Sequence, residues 1–95
     1  MVATTANVDP HRSTIEVPEG AFRIYPDVNR FMVFMVGRIP DGALLGYFQL
    51  ELTESGHVVV RGYATGQLGM GSFDEARELL QVLGRLAVEH GIASV

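Results

Sequence analysis

The sequence predicts an α+β fold: an antiparallel β-meander of about four strands with one C-terminal α-helix packed on one face. Three observations carry this expectation. Phe31-Met32-Val33-Phe34-Met35-Val36 is the longest unbroken apolar run and is rich in β-branched and aromatic residues, which favours a strand. Stretches with period-two alternation lie on both sides of it, joined by short turn-forming connections that make neighbours antiparallel. Convincing helical spacing comes last, from Ser72 to His90.

Each element has a local reason. Residues 1–13 are small, polar and aperiodic, which predicts a mobile N-terminal tail, leaving residues 14–95 as a single α+β domain. Thr14-Ile15-Glu16-Val17 alternates, and Pro18-Glu19-Gly20 turns the chain. Ala21 to Tyr25 alternates again with Phe22 and Ile24 on one face. Pro18 would interrupt a central ladder, so this strand, or pair of short strands, is expected at an edge.

The apolar run Phe31–Val36 is the expected central strand, and Ile39-Pro40-Asp41-Gly42 is a tight turn. Ala43 to Thr53 reads as the longest strand. Leu44, Gly46, Phe48, Leu50 and Leu52 share one face; Ala43, Leu45, Tyr47, Gln49 and Glu51 share the other. Glu54-Ser55-Gly56 suits a hairpin loop, and His57 to Thr65 returns with Val59, Arg61 and Tyr63 on one side.

Ser72 and Glu75 have the spacing of a capping box. Ala76, Leu79, Leu80, Leu83, Leu86 and Ala87 then form an apolar stripe. Gly91 is placed as the C-terminal cap. Gly84 lies at the margin of the stripe, where it weakens the helix unless helix and sheet approach closely.

Composition narrows the function. Ninety-five residues build one core and not two. The formal charge is −4 and all seven basic residues are arginine. Without a basic patch, nucleic acid is not the expected partner. There is no cysteine, hence no disulfide framework, thiolate zinc site or cysteine nucleophile. No apolar run approaches the about 18 residues that span a bilayer, and no secretory pattern opens the chain. A cytoplasmic protein without membrane contact is expected.

Candidate chemistry is sparse. Gly66, Gly69, Gly71 and Ser72 form a glycine-rich link at a helix N-terminus, the sort of place that attracts an anion or small ligand. The order of its glycines reverses the dinucleotide fingerprint, and it lacks the P-loop lysine. Asp74 and Glu75 would repel a phosphate there. His11, His57 and His90 lie far apart in sequence, without metal-ligand spacing. No residues form a nucleophile–base–orienter set, so neither an enzyme nor a bound cofactor is expected.

An all-apolar strand needs cover on both faces, and one helix cannot supply it. The uncovered face, carrying Phe31, Val33, Met35, Leu45, Tyr47, Val59, Arg61 and Tyr63, is therefore expected to be an interface. The occupant is a protein partner or, most simply, a second copy in a homodimer. The alternative is that Ile15, Val17, Phe22 and Ile24 fold over that face and close a monomeric core. The sequence thus predicts a small acidic protein-binding module of inhibitor or adaptor type, as phage and bacteria encode. The competing class is a small-ligand or catalytic domain using the Gly66–Gly71 loop and a sheet–helix cleft near His57 and Tyr63.

Overall fold

In the computed structural model, which describes residues 13–64 and 73–94, five strands form one antiparallel sheet in sequential order. They are β1 (Thr14–Val17), β2 (Gly20–Pro26), β3 (Val33–Ile39), β4 (Leu44–Leu52) and β5 (Val58–Ala64), followed by the helix α1 (Phe73–Glu89). The class is α+β, as the alternation and the terminal helical stripe predict. The fifth strand arises because the N-terminal segment forms a hairpin of its own, closed where Val17 pairs with Gly20. Ser13, assigned by sequence to the tail, is buried and its carbonyl accepts the Ile24 N–H at 2.8 Å. The rest of the predicted tail lies outside the described residues.

Register explains the core. Ile15 pairs with Phe22, Ile24 with Val36, and Phe34 with Phe48, so these side chains share one face. There the Phe34 and Phe48 rings stack with centroids 5.5 Å apart. Ala76, Leu79, Leu80, Leu83 and Ala87 of α1 close over this face, with Val58, Val60 and Leu86 packed at its margin. The N-terminal hairpin therefore contributes Ile15, Phe22 and Ile24 to the helix-side core and does not fold across the back.

One helix suffices because the sheet curls. The helix packs on β5 and β4 and also reaches β1 at the opposite edge of the sheet. Strands spaced about 4.8 Å apart would carry the two edges of a flat five-stranded sheet beyond one helix of about 10 Å diameter.

Both helix ends are held locally. Asp74 and Glu75 sit in the first turn, where the helix dipole favours negative charge; Ser72 of the expected capping box lies outside the described residues. At the C-terminus Gly91 takes a φ of 73°. Its N–H donates to the Val88 carbonyl at 3.1 Å, and the Ile92 N–H donates to Ala87 at 2.8 Å, the paired bonds of a Schellman motif. That turn delivers Ala93 into the core and packs Ile92 against it.

Candidate interaction surface

The face opposite the helix carries the alternate residues of the same strands. Registers β2–β3, β3–β4 and β4–β5 place Tyr25 opposite Met35, Met35 opposite Tyr47, and Tyr47 opposite Tyr63. The result is one row of three tyrosines and a methionine across four strands. Tyr47 and Tyr63 touch, ring centroids 5.2 Å apart and tilted by 32°. Tyr25 and Tyr63 are exposed, while Met35 and Tyr47 are half-buried. No described strand or helix packs on this row, and the Arg30 side chain lies across its middle.

Arginine and carboxylate flank it in pairs. Arg30 lies over Tyr47, its guanidinium carbon 4.3 Å from the ring centroid, and its Nη2 is 3.8 Å from Met35 Sδ. Its Nε donates to Asp27 at 2.7 Å. The Asn29 backbone N–H and then the Arg30 guanidinium hold the Asp27 carboxyl below its usual range. On β5 the Arg61 Nε donates across to Glu51 at 2.7 Å; that bond raises the pKa of Arg61 further. The cation–π contact and the two ion pairs give Arg30 and Arg61 partners within the surface itself.

Of the eight residues that the sequence assigns to this face, Val33, Met35, Tyr47, Val59, Arg61 and Tyr63 lie on it. Two do not. Leu45 is fully buried in the helix-side core. The register passes from Val36–Gly46 to Gly37–Leu44, so Leu45 is the extra residue of a β-bulge, and bulges re-aim side chains. Val33 is on a β3 position of the open side, but it is only 6% exposed and offers a partner little surface. Phe31 is not in a strand. It is 85% exposed in the 27–32 loop, as is Val28 at 92%.

That loop is tied at both ends. The Asp27 N–H donates to the Val33 carbonyl at 2.9 Å, and Leu50 N–H donates to Met32 at 2.9 Å. Met32 takes a left-handed φ of 63°, so the strand cannot begin before Val33. Tyr25 and Arg30 also belong to this surface, though the sequence does not assign them to it. Tyr25 alternates with Phe22 and Ile24, which is the signal that could have placed it; nothing local puts Arg30 over Tyr47.

Other sequence candidates lie apart. His57 is brought against Ser55, Oγ to Nδ1 at 2.8 Å, and Thr53 Oγ1 is 3.0 Å from Ser55 and accepts the His57 N–H at 3.1 Å. All of this is an exposed hairpin turn, and these bonds close the loop. Gly66, Gly69, Gly71 and Ser72 lie outside the described residues. Among the described residues, open grooves lie elsewhere: one of about 390 Å³ under the 27–32 loop, another of about 400 Å³ between Pro18 and Leu79 of the helix. Neither is lined by His57 or Tyr63. Among the described residues, no His, Asp and Glu side chains gather in a group that could hold a metal, and no helix is long and apolar enough to cross a membrane.

No protein-family model, no curated protein and no solved structure matches the chain.

Proposed function

We propose that this chain is a small non-enzymatic protein-binding module, an inhibitor or adaptor of the cytoplasm, that engages its partner through the open face of the sheet. The observation that carries the reading is the uncovered row Tyr25–Met35–Tyr47–Tyr63. Tyrosine, methionine and arginine are the residues enriched where proteins meet, and lysine is depleted there. Tyrosines also bring large contact area at small entropic cost. The arginines beside the row already hold Asp27 and Glu51, so they offer a phosphate backbone little free charge, which favours protein over nucleic acid.

The test compares affinity captures by the wild-type chain, by Tyr63→Arg on the open face and by Val82→Arg on the exposed side of the helix. A partner retained by the helix variant and lost by the face variant supports the reading. Equal retention by all three overturns it. So does a strong thermal shift with a nucleotide that Tyr63→Arg leaves unchanged, because that would return the site to the glycine loop or a cleft.

A further inference from the structure

We infer that the partner on the open face is a second copy of the chain, packed sheet to sheet about a twofold axis; this rests on the reading of that face as the binding surface. The argument begins with charge. A twofold interface sets the same patch against itself, so a patch with net charge repels its own copy. The chain carries −4. The open face, in contrast, carries Arg23, Arg30 and Arg61 against Glu16, Asp27 and Glu51, all placed there by strand parity or by the contacts above. Three charges cancel three, and the whole excess of negative charge falls on other surfaces. The open face is where two acidic molecules can meet without a long-range penalty.

Internal pairing matters as much as the zero sum. Arg30–Asp27 and Arg61–Glu51 are bonded within one protomer at 2.7 Å. Burying these two pairs needs no new ionic partner from across the interface, since removing one member and not the pair is what strands a charge. A dedicated heterologous partner would more usually be steered by an unbalanced charge of opposite sign. None is displayed on this face.

Size fits as well. Laid flat, five strands at about 4.8 Å spacing and seven residues at about 3.3 Å each would cover on the order of 500 Å², an upper bound for a sheet that curls towards its helix. Side-chain relief raises the accessible area towards the about 800 Å² per partner of a standard interface. The two sheets would then stack about 10 Å apart, with the row Tyr25–Met35–Tyr47–Tyr63 at the centre and the two helices outermost. The result is a helix–sheet–sheet–helix sandwich.

The cysteine-free chain makes this directly readable. Light scattering and sedimentation of the full chain at tens of micromolar should give a dimer that survives about 0.5 M salt, since screening acts mainly on exposed charges and these pairs would be buried. Tyr63→Arg should be a folded monomer by circular dichroism, with Val59→Arg as a second face variant in case the first loses its fold. With a bismaleimide long enough to span sheets about 10 Å apart, single Met35→Cys and Tyr47→Cys chains should give a cross-linked dimer from at least one of the two positions, while Val82→Cys and Phe31→Cys remain monomeric.

A wild type that is monomeric across this range overturns the inference, and so does cross-linking through Val82→Cys or Phe31→Cys alone. If the wild type is monomeric but Tyr63→Arg abolishes capture of another protein, the second copy fails and the binding face stands. If neither assembly nor capture responds to Tyr63→Arg, both fail. Quenching of tyrosine fluorescence by a single-stranded oligonucleotide, lost in Tyr63→Arg, would give the face to nucleic acid and also end the proposal.

Discussion

Gly84 of the helix lies so close to Val60 of β5 that a β-carbon on it would stand 2.6 Å from Val60 Cγ1 and 3.2 Å from the Phe48 ring. Helix propensity favours alanine there by up to about 1 kcal/mol. Overpacking against a stiff β-branched side chain typically costs about 1–3 kcal/mol, so sterics should win. Gly84→Ala is expected to lower the melting temperature by several degrees. In a Val60→Ala background the same substitution should become neutral or stabilising, and a double-mutant cycle by thermal denaturation reads that reversal.

Leu45 and Tyr63 provide a second contrast. A regular strand would put both on the open face; the bulge moves only Leu45 into the core. Leu45→Ala should therefore destabilise by about 2–5 kcal/mol, the range for deleting a buried leucine. Tyr63→Ala should cost the folded protomer about 1 kcal/mol, the worth of its contact with Tyr47. Urea denaturation of the two variants measures the difference, and similar losses would argue against the bulge.

Gly91 should be intolerant for a different reason. Nothing lies within 4 Å of a β-carbon placed on it, but its φ is +73°. An L-residue with a β-carbon pays about 1–2 kcal/mol to sit there. Gly91→Ala should lower stability by that amount, and Gly91→Asn by less, since asparagine tolerates the left-handed region. Melting curves of the pair separate this backbone effect from a packing one.

Acid should weaken the turn between β3 and β4. Arg38 donates to both carboxylate oxygens of Asp41, and with the Ala43 N–H it lowers the Asp41 pKa from 3.8 to about 2. A carboxyl depressed in the folded state stabilises fully above its unfolded pKa and loses that contribution as pH falls through the folded value. Wild type should therefore lose melting temperature between about pH 4 and pH 2 more steeply than Asp41→Asn. The pair is exposed, so about 0.5 M salt should reduce the difference.

What was legible in the sequence was local. Alternation placed Phe22 and Ile24 together, and Phe48 and Leu50 together, because side chains of a strand take opposite faces by backbone geometry alone. The 3.6-residue stripe from Ala76 to Ala87 and the cap at Gly91 likewise depend only on neighbours along the chain. Tyr47, Val59, Arg61 and Tyr63 could be assigned to the open face from those parities.

The tertiary structure decided whatever needs one segment to meet another. Leu45 entered the core because β3 and β4 slip register between Val36 and Gly37; parity within β4 carries no record of that slip. Phe31 left the sheet because Leu50, on another strand, donates its N–H to the Met32 carbonyl, holding the residue before Val33 in a left-handed turn. The curl that lets α1 reach both β5 and β1 is a property of the five-strand sheet as a whole. Bonds across strands join residues far apart in sequence, and no local period encodes which carbonyl an N–H will meet.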